Sequence, residues 1–176
     1  MLFRSKRKLR ILAIICAKRE SKRFPNKNKI LINDVIDKIM KSNWVTKTLI
    51  VTDDKDITVS RSKRILKIDR PNNACDPDDS VFNVARWAYY SLPEQYDVVI
   101  VILPNVIRFS SSYIGKAVRI LWENDLNEVR TFDKRGVENG VIVMRKDWFL
   151  DGNLSVYCGA VISDAKEIHY EGELYK

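Results

Sequence analysis

The chain has 176 residues and a mass of 20.5 kDa, with 45% hydrophobic and 10% aromatic residues. That length and composition describe one folded domain with a sizeable core and exclude a disordered or low-complexity protein. The net charge of +8 is concentrated: residues 1–34 carry eleven Lys/Arg against two Asp/Glu, and the remainder is nearly balanced at twenty against twenty-one.

The first apolar run, LRILAIIC (9–16), follows the charged head MLFRSKRK. It is far shorter than the roughly 20 residues of a membrane span, and no small-residue cleavage site follows it. It reads as a strand buried on both faces, in a cytoplasmic protein. KTLIVT (47–52), RILKI (64–68) and DVVIVIL (97–103) read as further strands. Between them, Asp34–Ser42, Asp78–Leu92 and Ser110–Trp122 have helical apolar spacing, with Asp79, Ser80 and Ser110 suited to helix starts. Strands alternating with helices predict βαβ units in a three-layer α/β/α, Rossmann-like sandwich with a mainly parallel sheet.

After Asn124 the pattern changes. EVRTF, GVIVM and LSVYCGAVI are strand-like and separated by the turn signals DKRG and LDGN. They predict a small antiparallel extension at one edge of the sheet, or an arm. The expected organisation is a single domain, 1–176. Its nucleotide-binding α/β core is 9–124, and 125–158 forms a β-rich arm suited to dimerisation.

Cys16, Cys75 and Cys158 show no metal-ligand spacing and no disulfide framework, so they read as reduced thiols. His169, the single histidine, has no nucleophile motif beside it. The acids Asp164, Glu167, Glu171 and Glu173 read as a solvated tail.

The informative segment is CAKRESKRFPNKN (16–28), a basic loop immediately after the first strand. In an open α/β sheet, ligands bind beyond the carboxyl ends of the strands. Lys18, Arg19, Lys22, Arg23 and Lys27 can surround a polyphosphate there, and Ser21 offers a hydroxyl. The glycines and the GK[ST] of a Walker A loop are absent. A phosphate cradle built from long side chains, a nucleic-acid grip and a solvated turn are the three readings of such a loop. The nucleic-acid reading is weak, because residues 1–34 contain only Phe3 and Phe24 as stacking platforms.

IICAKRESKRFPNKNKILIN resembles the N-terminal signature of the acylneuraminate cytidylyltransferases, the CMP-N-acetylneuraminic acid synthetase family. That signature is approximately A-R-x-x-S-K-x-x-P-x-K-N after a hydrophobic strand. Ala17, Ser21, Lys22, Pro25, Lys27 and Asn28 match it in register. LIVTDDKDI (49–57), Arg70-Pro71 with Asp76 and Ser80, DVVIVILPNVIR (97–108) and CGAVISDAKEI (158–168) are similar, in order, to later family segments.

The resemblance implies a nucleotide-diphospho-sugar transferase fold. It also implies transfer of CMP from CTP to a 2-keto-3-deoxy sugar acid such as a sialic acid, releasing pyrophosphate. It assigns Lys18 and Lys27 catalytic roles on the triphosphate, alongside Ser21 and Lys22. Asn28, Arg70, Asp76, Ser80 and Asn105 fall on the nucleotide side. It further implies magnesium, with ligands unidentified among carboxylates such as Asp53, Asp76 and Asp78, and a homodimer without membrane or nucleic-acid partners. The chain departs from the family pattern at Lys18 for arginine, Leu103 for glutamine and Asn105 for threonine, and it shows no I-D-x-x-x-D aspartate motif. The alternative is a catalytically weak or inactive relative that binds a nucleotide or serves as a partner subunit.

Overall fold

The computed structural model describes residues 8–19, 23–60, 62–70, 80–153 and 155–175. Strand β1 (Ile11–Ala17) alternates its apolar side chains between two covered faces. Ile11, Ala13 and Ile15 point to one core, and Leu12 and Ile14 to the other. A strand buried on both sides has no room for polar alternation, which is why ILAIICA is continuously hydrophobic. Strands β2 (Lys47–Thr52), β3 (Ile65–Asp69) and β4 (Val98–Ile102) join it in parallel.

Helix α1 (Lys27–Met40) and helix α3 (Ser111–Glu123) cover the first face. They contribute Ile32, Val35, Ile36 and Ile39, and Ile114, Ala117, Val118 and Leu121. Helix α2 (Val81–Tyr90) and the short α4 (Lys146–Asp151) cover the second, with Val84, Ala85, Ala88, Tyr89 and Phe149. The result is the three-layer α/β/α sandwich that the alternation of strand and helix patterns predicts.

The main sheet has seven strands in the order β3-β2-β1-β4-β7-β6-β8, with β6 (Glu128–Phe132), β7 (Glu138–Arg145) and β8 (Cys158–Ile162) completing it. Only β7 runs antiparallel, pairing β4 on one side and β6 on the other, while β6 and β8 are parallel. The antiparallel strand therefore lies inside the sheet and not at an edge. Segment 125–158 builds β6, β7 and α4 and leads directly into β8. A separate two-stranded antiparallel sheet, β5 (Val106–Ile107) with β9 (Lys166–Glu167), sits past the carboxyl end of β4. Among the described residues no helix is long and apolar enough to cross a membrane.

Candidate active site at the carboxyl ends of β1 and β4

The chain leaves β1 at Ala17 and enters the basic loop. The loop is shorter than the sequence suggests, because α1 begins at Lys27, seven residues before the expected Asp34. The usual start signals are missing. Asn26, at the N-cap, has φ 57° and makes no side-chain cap, and the first turn holds no acid. Instead Pro25 precedes the turn, and the Lys27 N–H donates to the Phe24 carbonyl at 3.2 Å. Lys27 and Asn28 thus stand on the first turn of a 14-residue helix, whose positive dipole end adds to the cations around it.

Two side chains hold the loop in place. Phe24, 2% exposed, is buried against Leu31 and Ile168, with Ile107 and Leu174 alongside. Asn28, 7% exposed, donates from Nδ2 to the Lys18 carbonyl at 2.8 Å. Its Oδ1 is buried without a hydrogen-bond partner among the described residues. An acceptor left dry in this way costs stability unless a donor arrives. On the other flank, Asp53 Oδ1 accepts the Arg19 N–H at 2.6 Å, and the Arg70 N–H donates to Thr52 O at 3.0 Å. The loops after β1, β2 and β3 are therefore neighbours.

Lys27 is half-buried, and its ammonium is held below its usual pKa. Burial is the main cause, and Lys18 and Arg23 add like charge, while Glu167 and Glu173 pull the other way. Like charge around a half-buried ammonium is relieved when an anion binds.

Across from the loop, the carboxyl side of the sheet supplies a second wall. Because β7 is antiparallel, its first residues lie beside the end of β4, and the Leu103 N–H donates to Gly140 O at 3.0 Å. Asn139 then fixes the return from β8, donating to Ala165 O at 2.9 Å and accepting from Ser163 Oγ at 3.1 Å. Asn105 ties down the following segment. Its Nδ2 donates to Ile168 O at 2.8 Å, and its carbonyl accepts the Ile168 N–H at 2.9 Å. These brackets bring Glu167 and His169 to the same end of the sheet as Lys18 and Lys27.

Glu167 is not part of a solvated tail. Its side chain is 20% exposed and lies 3.6 Å from His169 Nε2. Ala165 and Ile168 are buried on either side of Lys166 and Glu167, but their spacing is not a strand alternation, so the sequence does not announce this strand. Gly140, at φ 82°, makes the space: a Cβ there would lie 2.6 Å from Val106 Cγ2 and 3.0 Å from Glu167 Oε1. Gly140→Ala should therefore cost about 2 kcal/mol in a chemical denaturation experiment, from backbone strain plus overpacking. Equal stability would show that the β4–β7 junction yields freely.

The remaining sequence candidates divide. Ser80 is exposed and caps α2, accepting the Asn83 N–H at 3.4 Å. Ser21, Lys22 and Asp76, with Asp78, lie outside the described residues. No three His, Cys, Asp or Glu side chains among the described residues are grouped so as to hold a metal ion. Asp53 accepts from the loop backbone and is engaged in shaping it. The described residues therefore do not build a magnesium cage. A cavity of about 550 Å³ opens at the opposite, amino end of the strands, beside Lys8, Arg10, Trp44 and Arg64. There the Arg64 guanidinium is committed to the carbonyls of Met40, Ser42 and Val45.

No protein-family model matches the chain, and no curated protein sequence matches it. Solved structures do share its architecture. CMP:2-keto-3-deoxy-manno-octonic acid synthetase complexed with CTP superimposes with a TM-score of 0.75, at 10% identity over 94% of this chain and 95% of the other. 4-Diphosphocytidyl-2C-methyl-D-erythritol synthase from Anaerococcus prevotii gives 0.66, at 14% identity over 96% and 94%. Glucosyl-3-phosphoglycerate synthase from Mycobacterium tuberculosis, in complex with Mn2+ and uridine diphosphate, gives 0.62, at 10% identity over 95% and 75%. The fold is thus the Rossmann-like fold of the nucleotide-diphospho-sugar transferases, with a mainly parallel seven-stranded sheet and a small antiparallel one.

Proposed function

We propose that the chain is a cytidylyltransferase that moves CMP from CTP to a 2-keto-3-deoxy sugar acid and releases pyrophosphate. The observation that carries this reading is the cationic loop, with Lys18 tethered by Asn28 and Lys27 on the first turn of α1, at the carboxyl end of the central strand. Likeness of fold alone admits several sugar-nucleotide reactions, since fold does not dictate chemistry. The motif from Ala17 to Asn28 favours cytidylyl transfer among them.

In this mechanism Lys18 and Lys27 bind the triphosphate and stabilise the charge that builds on its oxygens as the α-phosphorus is attacked. Ser21 and Lys22 belong to the same loop, and Arg70, Asp76, Ser80 and Asn105 to the nucleotide side. Magnesium, as part of the proposal, would enter with the nucleotide and would supply charge neutralisation, since magnesium commonly keeps waters and substrate phosphates as its ligands. A cytoplasmic location is part of the proposal. A homodimer, with segment 125–158 at a two-fold interface, completes the proposal.

Calorimetric titration of CTP, with ATP, GTP and UTP as controls and with and without magnesium, is the direct test. CTP-selective binding strengthened by magnesium is the expected result. Binding that ignores both the base and the metal would replace this reading with that of a nucleotide-binding relative without the chemistry.

A further inference from the structure

We propose that Glu167 is the proton acceptor for the attacking hydroxyl, with His169 as its solvent-facing partner. This assignment rests on the nucleotidyl-transfer reading above and goes beyond it in naming the group that activates the acceptor.

The placement of Glu167 is costly and over-determined. Its backbone pairs with Val106 across the β5–β9 sheet, and the flanking Ile168 is bonded in both directions to Asn105. Asn139 holds Ala165 just upstream. The carboxylate then fits into space that only a residue without Cβ at position 140 leaves open. Among the described residues its one ion-pair partner is His169, at 3.6 Å, and the histidine side chain is 49% exposed. A half-buried carboxylate whose ion-pair partner is an exposed histidine, opposite a cationic loop, is costly to place, because a poorly compensated buried charge destabilises.

The charged groups that face Glu167 are His169 on its own segment, Glu138 from β7 and Lys27 from α1. Burial holds its carboxyl above the usual range and Glu138 adds to this, while His169 and Lys27 act in the opposite direction. The raised proton affinity suits a general base.

The step balances without a further reagent. The acceptor hydroxyl gives its proton to the Glu167 carboxylate as its oxygen bonds to the α-phosphorus of CTP. The bond from that phosphorus to the bridging oxygen breaks, and pyrophosphate leaves with the electron pair, its charge held by Lys18 and Lys27. The proton then passes to solvent by way of the exposed His169.

The sign of the pH dependence follows. Activity should fall as pH drops through the pKa of Glu167, and the fall should begin at a higher pH than for an ordinary carboxyl group. A raised carboxyl pKa also means that the stability contribution is present below the unfolded value and lost as pH rises through the folded one. Glu167→Gln should therefore be at least as stable as the wild type at neutral pH, which a structural carboxylate would not be.

The experiment uses the full chain, with 2-keto-3-deoxy-manno-octonic acid and N-acetylneuraminic acid as acceptor probes. Glu167→Gln is expected to bind CTP within about threefold of wild type and to lose pyrophosphate release by 10²- to 10⁴-fold, the range for a general base. The acidic limb of its kcat/KM profile should flatten. Pyrophosphate release within threefold of wild type in Glu167→Gln overturns the assignment alone. So does an equal loss of CTP affinity, which would make Glu167 a binding residue. A wild type that binds CTP yet releases no pyrophosphate with either acid also overturns it. A wild type that does not bind CTP overturns the nucleotidyl-transfer reading itself.

Discussion

Lys27→Ala should weaken CTP binding by about 100-fold, equivalent to about 2.7 kcal/mol, and leave the fold intact. The size follows from what the lysine would do. A charge-assisted hydrogen bond to a phosphate oxygen contributes roughly 1.5–3 kcal/mol, and the half-buried position limits screening by solvent. The stability half of the prediction follows from the ammonium's depressed pKa, caused chiefly by burial and reinforced by Lys18 and Arg23. A folded state that binds the lysine proton less tightly than the unfolded chain loses stability by keeping it charged, so truncation removes a penalty along with a little packing. The net change should stay within about 0.5 kcal/mol. Lys27→Arg keeps the charge with a larger, planar head, and should recover only part of the affinity. Calorimetry of CTP binding beside chemical denaturation checks both halves. A folded Lys27→Ala variant with unchanged CTP affinity would remove the loop from the site.

The parts of this fold that are legible in the sequence are those where burial is two-sided. ILAIICA, KTLIVT and VVIVI read as strands because both faces are covered, and that leaves no polar alternation to misread. The apolar faces of α2 and α3 likewise appear at helical spacing, with Ser80 and Ser110 marking their starts. The start of α1 is hidden for a physical reason. Its first turn, Lys27 to Ile30, has no acid, and its N-cap makes no side-chain bond, so local propensity does not announce a helix. What holds that turn is tertiary: Phe24 inserted against Ile168 and Asn28 bonded to Lys18.

The location of β7 is hidden in a different way. ENGVIVMR is visibly a strand, but whether it lies at an edge or between β4 and β6 is a matter of non-local pairing, which hydrophobic pattern alone does not report. Its interior position is what carries Glu138, Asn139 and Gly140 to the site end of the sheet. Glu167 escapes notice for the same reason. In sequence it is one acid among several near the C-terminus, and only the β5–β9 pairing and the Asn105 and Asn139 brackets bring it opposite the basic loop. The candidate site was thus readable on its cationic side, which is contiguous in sequence, and not on its acidic side, which is assembled by topology.

Asn28→Asp should be the most damaging single-atom-scale change in the loop, costing about 3 kcal/mol of stability and abolishing detectable triphosphate binding. The side chain is 7% exposed, and its Nδ2 makes the bond that ties Lys18 to α1. An aspartate of the same shape cannot donate to the Lys18 carbonyl. It sets two acceptors face to face in a nearly dry position and puts a negative charge where an anion is to bind. Asn28→Ala separates these effects. It deletes the tether but also the unpartnered Oδ1, so the stability loss should be near 1 kcal/mol, the net value of one hydrogen bond. CTP affinity should nevertheless fall about tenfold, because Lys18 is no longer held in register with Lys27. The order wild type, alanine, aspartate in both CTP affinity and denaturation midpoint is the expected result. An aspartate variant as stable as wild type would mean that solvent reaches position 28, and the tethered cradle would have to be given up. If the alanine variant bound CTP normally, Asn28 would be a structural cap alone, and the loop's geometry would have to be set by Phe24 and Asp53.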